Sequence, residues 1–150
     1  MNKTLVFDMD GTLNDFYGVQ GWLDDLRNER TRPYEICEPL WNMKKLKETL
    51  IELKNKGWKI AVTTWLSKNA TTEYDNAVRK VKLEWLNKYE FPYDELHMVK
   101  YGTTKANCTR KNKGFQILID DNDKIRNGWT LGGTINPTEG NLIENLRGLL

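Results

Sequence analysis

The sequence predicts an α/β fold of the Rossmann type, a three-layer sandwich with a central, mostly parallel sheet. Short apolar, β-prone runs alternate along the chain with amphipathic helical segments, an order typical of parallel sheets covered on both faces. Three of these runs end in polar residues, as expected where strands carry functional side chains to the edge of a sheet. With 150 residues and no internal repeat, the chain suits a single domain over residues 1–150.

The first strand is predicted at residues 5–7, which are apolar and β-prone, and it leads directly to Asp8 and Asp10. Gly11 then permits a tight turn that a side chain would obstruct. Residues 14–38 follow as a small insertion beside this turn. Apolar residues have helical spacing around Trp22, and Pro33 predicts a break in the helical pattern.

The remaining elements follow from the spacing of apolar residues. Amphipathic helices are predicted at residues 41–56, at 72–89, and from 138 or 141 to 149. Strands are predicted at 58–62, 96–99 and 115–119, with an edge strand within 132–135. Residues 102–105 form a loop that is placed to open a short helix.

Composition narrows the functional classes only slightly. The 23 Lys and Arg residues against 21 Asp and Glu give a net charge of +2, which neither demands nor excludes a nucleic-acid partner. Cys37 and Cys108 are too few for a disulfide framework and fit a reducing compartment. Because no apolar run approaches the roughly 20 residues of a membrane span, we expect a cytoplasmic protein without a signal peptide.

Asp8 and Asp10 are the first candidate functional residues. Two carboxylates this close repel each other unless a cation holds them, and hard oxygen ligands favour Mg²⁺. An EF-hand loop is excluded, because Thr12 and Leu13 stand where that loop needs a third acid and a glycine. The alternative is an acidic surface turn at the end of a strand, so partners elsewhere must decide.

Those partners are the polar residues at the ends of two further strands. The three sets are Asp8 with Asp10, Thr63 with Thr64, and Asp120 with Asp121. Parallel connections bring all three ends to one edge of the sheet. Phosphoryl transfer through an aspartyl-phosphate needs such a set, because a carboxylate attacks, hydroxyl groups orient the phosphate and a metal ion stabilises the developing charge.

Three segments resemble motifs of the haloacid dehalogenase superfamily. Residues 8–16 resemble its motif I, most closely in the 5'(3')-deoxyribonucleotidase branch, residues 60–63 resemble motif II, and residues 117–121 resemble motif IV. The resemblance implies that superfamily's Rossmann-like fold, with Asp8 as phosphoryl-accepting nucleophile and Asp10 as general acid and base. It further implies phosphate binding by Thr63 and Thr64. Implied Mg²⁺ ligands are Asp8, Asp10 and Asp121, with Asp120 acting through water.

The lysine that the family uses to bind phosphate has several candidates here. Lys105 precedes the final motif strand much as the deoxyribonucleotidase lysine does, and loop lysines near strand ends converge readily on sites. Lys82, Lys80 and Lys100 are rivals. Lys82 lies on a long predicted helix, where a lysine is solvated by default, so we favour Lys105.

The substrate is less constrained than the reaction. The resemblance implies a Mg²⁺-dependent phosphatase, acting on (deoxy)nucleoside monophosphates with Phe16 stacking on the base. However, residues 14–38 are far shorter than the deoxyribonucleotidase cap, and Trp65 stands where the relatives have a proline.

Two other functions stay open at this point. One is a phosphatase of polynucleotide ends, favoured by the reduced cap and by residues 96–119, which hold several lysines and one arginine but no acid. That basic stretch is equally compatible with an ordinary solvated loop, and His97 within it is expected to be structural. The other is a phosphate- or partner-binding protein without catalysis, although binding alone does not require Asp10.

Overall fold

A five-stranded, all-parallel sheet forms the centre of the protein, whose computed structural model describes residues 2–150. The strands are β1 (Lys3–Phe7), β2 (Trp58–Trp65), β3 (Glu95–Val99), β4 (Phe115–Ile119) and β5 (Thr134–Ile135). Their spatial order is β3-β2-β1-β4-β5, so β1 lies in the middle. The predicted α/β fold with a parallel sheet is confirmed.

Helices cover both faces of this sheet. They are α1 (Trp22–Arg27), α2 (Arg32–Ile36), α3 (Met43–Asn55), α4 (Thr72–Lys88), α5 (Ala106–Thr109), α6 (Asp123–Asn127) and α7 (Leu142–Arg147), with 3₁₀ turns at Phe16–Gly18 and Arg110–Asn112. On one face, Leu5 and Phe7 of β1 pack with residues of α3, α4 and α7. On the other, Val6 packs with Ala106 of α5 and with Trp129, just after α6.

The structure departs from the sequence-based expectations in three places. Strand β2 extends to Trp65 and so contains Thr63 and Thr64. The short helix α6 was not predicted, because its five residues carry almost no apolar pattern. The predicted break in the helical pattern is present, because α1 ends at Arg27, but Pro33 itself lies in the first turn of a second helix, α2, a position that proline fits.

The register of the sheet brings the three predicted strand ends together. Phe7 pairs with Val62 of β2 on one side and with Ile119 of β4 on the other. The residues that follow these three are Thr63, Asp8 and Asp120. They therefore lie side by side in a row across the sheet. Because side chains alternate along strands, this row continues the face of Val6 rather than that of Phe7.

The insertion after β1 is fixed to the rest of the protein through α4. Glu29 accepts hydrogen bonds from the backbone N–H and the hydroxyl of Thr71, the N-cap of α4, at 2.9 and 2.8 Å. The hydroxyl of Tyr74 donates to the Arg30 carbonyl at 2.8 Å. Beneath these contacts, Phe16 packs in a buried cluster with residues of the insertion and of α4. The insertion therefore forms part of one wall of the structure.

The lysines of the basic stretch, residues 96–119, lie at both ends of the strands, the carboxyl end and the amino end. Lys105 lies at the edge with the acids. Lys111 and Lys113 flank Asn112, whose carbonyl accepts a hydrogen bond from Asn2 at the opposite edge. His97 lies in β3 with its Nε2 2.8 Å from the Glu95 carboxylate, which also bonds Lys59, in keeping with a structural role.

Both cysteines are free thiols. Among residues 2–150, none of the helices combines the length and the apolar character that a membrane crossing requires.

Candidate active site

The turn after β1 presents Asp8 and Asp10 in different directions. Gly11 has φ +81°, and a Cβ at this position would lie 2.5 Å from Oδ2 of Asp121 and 2.9 Å from the Tyr17 ring. The turn therefore needs a glycine for its backbone conformation and for the close approach of the Asp121 and Tyr17 side chains. It brings Asp8 over the sheet edge and turns Asp10 toward α4.

Lys105 joins Asp8 to Asp120. Its Nζ is 2.8 Å from Oδ1 of Asp8 and 2.8 Å from Oδ2 of Asp120, and the lysine is only 4% exposed. Burial alone would lower the pKa of Lys105, but the two carboxylates overcome this effect and raise it. The ammonium group therefore stays charged beside Asp8, where the sequence-based hypothesis placed the phosphate-binding lysine.

Three carboxylates converge on one point next to this lysine. One oxygen each of Asp8, Asp120 and Asp121 lies within 4.8 Å of the others. The hydroxyl of Thr12 donates to Asp8 at 3.0 Å and lies 3.2 Å from Oδ1 of Asp121. Burial, followed by the charge of Asp8, raises the pKa of Asp121 to about 7. The single charge of Lys105 thus leaves this cluster short of positive charge.

Asp10 stands apart from that cluster. Its Oδ1 accepts a hydrogen bond from the Asn14 side chain at 3.0 Å, and its Oδ2 lies 3.0 Å from Nζ of Lys82. The carboxylate is 14% exposed and lines the central cavity. The structure therefore does not bring the Asp10 side chain to the three acids with which it was predicted to hold Mg²⁺.

Lys82 contradicts the expectation that it is solvated. It is completely buried, because it belongs to the inward stripe of α4, between Val78 and Trp85. Besides Asp10, its Nζ contacts the Thr64 hydroxyl at 2.8 Å and the Trp65 carbonyl at 3.0 Å. The other two rivals, Lys80 and Lys100, are both exposed.

Thr63 and Thr64 have separate surroundings. Thr63 continues the row of Asp8 and Asp120 and is fully buried, and its hydroxyl has no hydrogen-bond partner in the part of the chain that the structure describes. Thr64 follows on the opposite face of β2, and its hydroxyl accepts from Lys82. A buried hydroxyl without a partner is costly, so the Thr63 hydroxyl can still donate a hydrogen bond. Of the two threonines, however, Thr64 is the one that lines the central cavity.

A cavity of about 720 Å³ opens beside these groups. Besides Asp8, Asp10 and Lys105, it is lined by aromatic side chains from two sides. Tyr17 and Trp22 of the insertion form one side with rings 5.0 Å apart, and Trp65 and Tyr101 form the other, also at 5.0 Å. Both Tyr17 and Tyr101 are about half exposed, which leaves their rings free to contact a ligand.

Phe16, predicted to stack on a base, borders this cavity but is only 2% exposed. Its ring stacks on Tyr34 at 4.6 Å and makes edge contact with Tyr17 at 5.3 Å. Such burial favours a packing role for Phe16. Tyr17, which covers it, presents the exposed ring instead.

Sequence reasoning gave no role to three residues of this site and misjudged the surroundings of a fourth, Lys82. Thr12, Asn14 and Tyr101 carry no pattern that separates them from ordinary turn and loop residues. Lys82 did carry a signal, since it lies at i+4 from the buried Val78 on an apolar helix stripe. A lysine at such a position needs a buried anionic partner.

Neither the comparison with protein-family models nor that with curated proteins finds a match for this chain. The chemistry of the site therefore has to be argued from its own residues.

Replacing Phe16 tests whether it packs or binds. We expect Phe16→Ala to lower the free energy of unfolding by about 3–5 kcal/mol, because it empties a buried aromatic position. Tyr17→Ala, at the neighbouring half-exposed ring, is the matched control and should cost much less. Urea unfolding of both variants measures the difference. Equal, small losses would show that Phe16 contributes little packing and would restore it as a ligand contact.

Proposed function

We propose that the protein is a phosphomonoester hydrolase of the haloacid dehalogenase type, with Asp8 as the nucleophile. The observation that carries the proposal is the double contact of buried Lys105 with Asp8 and Asp120. Thr63 belongs to the same row of strand ends, and its buried hydroxyl has no hydrogen-bond partner among residues 2–150. A nucleophilic carboxylate, a fixed ammonium group and an unpartnered donor are what transfer of a phosphoryl group to an aspartate requires.

In the proposed reaction, an oxygen of Asp8 attacks phosphorus in line with the leaving oxygen. The new O–P bond forms as the ester O–P bond breaks, and Asp10 gives its proton to the leaving oxygen. Lys105 and Thr63 hold the phosphoryl oxygens. Water then attacks the phosphorus of aspartyl-phosphate, Asp10 takes a proton from that water, and the bond to Asp8 breaks to release phosphate.

The acidic cluster fits a magnesium ion. Asp8, Asp120 and Asp121 would hold it, since they supply convergent carboxylate oxygens, the ligands that Mg²⁺ prefers. The raised pKa of Asp121 reflects burial and the nearby charge of Asp8, an imbalance that a divalent cation offsets. When bound, the ion would neutralise charge on the carboxylates and the phosphate and stabilise the transition state.

The substrate class that we propose is a nucleoside monophosphate. A cavity of about 720 Å³ is large enough for one, and it has acids at one end and exposed aromatic rings on two sides. Tyr17 and Tyr101 provide faces on which a base can stack, for roughly 1–3 kcal/mol by analogy with single-strand binders. Because these rings offer few hydrogen bonds, we expect little discrimination between bases.

The two alternative functions have less support. A phosphatase of polynucleotide ends was favoured partly by a basic rim, yet Lys111 and Lys113 lie at the sheet edge away from the acids. A protein that only binds phosphate has no need for two carboxylates that are each oriented by a separate buried lysine. We therefore place hydrolysis first.

The proposed activity is tested by phosphate release from nucleotides, sugar phosphates and phosphorylated oligonucleotides, with and without Mg²⁺. We expect release from several nucleoside monophosphates and its loss in Asp8→Asn, which keeps the shape of the side chain but removes the nucleophile. Asp24→Asn, at an exposed position in α1, is the control. Undiminished release by Asp8→Asn would refute the nucleophile, and release from sugar phosphates alone would refute the substrate class.

The magnesium site has a test that does not need activity. We expect Mg²⁺ to raise the melting temperature of the wild-type protein, because a ligand that binds only the folded state stabilises it. Asp121→Ala should abolish this rise while leaving the metal-free protein at least as stable, since one partly buried carboxylate close to Asp8 is gone. Asp24→Ala should behave like the wild type. A full Mg²⁺ response in Asp121→Ala would remove Asp121 from the site.

A further inference from the structure

Lys82 is a buried cation for which the proposed reaction has no direct use. Its side chain is completely buried in α4, and its ammonium group contacts Asp10, the Thr64 hydroxyl and the Trp65 carbonyl. These three contacts match the three N–H donors of a lysine. It also lies 5.2 Å from the ring centre of Tyr34, a residue of the insertion. Burying an ammonium group is costly unless it is paired and hydrogen-bonded, and here Asp10 supplies the opposite charge.

The two buried lysines approach the sheet edge from opposite faces. Lys105 meets the row of Asp8, Thr63 and Asp120, whereas Lys82 meets Thr64, whose side chain lies on the other face of β2. Lys105 therefore occupies the position of a phosphate ligand. Within the described residues 2–150, Asp10 is the only charged partner of Lys82.

Asp10 is held at both of its oxygens. Nζ of Lys82 forms an ion pair with Oδ2, and the Asn14 side chain donates a hydrogen bond to Oδ1. Asn14 is itself fixed, because its own oxygen accepts from the backbone N–H of Gly11 and of Phe16. The carboxylate thus has one orientation, on the cavity surface and outside the group formed by Asp8, Asp120 and Asp121.

We infer that Lys82 is a positioning residue that holds Asp10 on the leaving-group side of the cavity, ready for proton transfer. This inference rests on the proposed function. The proton given to the leaving oxygen comes from Asp10, and Asp10 later receives one from the attacking water. Without Lys82, the Asp10 side chain has a single anchor and its orientation toward the leaving oxygen is lost.

A matched pair of substrates separates this role from phosphate binding. Phenyl phosphate has a poor leaving group that needs a proton, whereas 2,4-dinitrophenyl phosphate has a good one that does not. We expect Lys82→Met to lower kcat/KM for phenyl phosphate about 10²-fold, as small misplacements of reacting groups do. For the dinitrophenyl ester we expect a loss within about threefold, since general acid catalysis contributes little there. Lys82→Arg should recover part of the loss, and Lys80→Met, at an exposed position on the same helix, should lose nothing.

A double-mutant cycle with Asp10→Asn tests whether Lys82 acts through Asp10. If it does, adding Lys82→Met to Asp10→Asn should cause no further loss on phenyl phosphate, because groups that act as a unit are not additive. Melting temperatures of all variants show that they fold. If Lys82→Met does not fold, Lys82→Gln, which retains hydrogen-bonding capacity, replaces it in both backgrounds.

Each remaining outcome would overturn the inference. Equal losses on both esters would make Lys82 a phosphate ligand or a structural residue, and additive losses in the cycle would separate it from Asp10. A wild-type protein without phosphatase activity would overturn the proposed function and this inference together. An active wild-type protein with additive losses would overturn this inference alone.

Discussion

The site depends on the packing of several carboxylates at one edge of a parallel sheet. Like charges at such distances repel, and burial together with the charge of Asp8 raises the pKa of Asp121. Two buried lysines offset part of this repulsion. Lys105 lies between Asp8 and Asp120, and Lys82 lies beside Asp10. Because each lysine comes from a different face of the sheet, the acids are divided into a cluster of three and a single, separately held carboxylate.

This division follows from the geometry of β1 and the turn after it. Asp8 continues β1, and its side chain follows the alternation of side chains between the two faces of the sheet. It therefore shares a face with Thr63 and Asp120. The tight turn at Gly11 then redirects the chain, and Asn14 bonds back to the Gly11 N–H and to Asp10. Two acids separated by one residue thereby acquire different partners, as residues with different tasks in one reaction require.

The insertion serves the site as a fixed wall. Its contacts with the start of α4, through Glu29 and Arg30, join it to the helix that also carries Lys82. Tyr34 of the insertion lies over the ammonium group of that lysine. A single helix therefore supports the aromatic side of the cavity and the orientation of Asp10.

The sequence predicts the sheet well, because strands buried on both faces are continuous apolar runs and the order of elements fixes parallel connections. The same regularity predicts that Asp8, Thr63 and Asp120 meet. The partners of these residues are harder to predict, because they depend on distances between elements: nothing local to Thr12 or Asn14 marks them. Phe16 illustrates a further limit, since the pattern that suits a stacking residue also suits one that is buried under Tyr17.

The most direct test of the account is to look for the phosphoryl group on the protein itself. The Asp10→Asn variant can accept a phosphoryl group from an ester with a good leaving group, but it lacks the base that activates water for its release. After acid quenching of this variant with 2,4-dinitrophenyl phosphate and Mg²⁺, mass spectrometry of peptides should find a phosphoryl group on Asp8. Phosphate release by the wild-type protein with no phosphorylated Asp8 in the trapped variant, or with the group on another residue, would contradict the account.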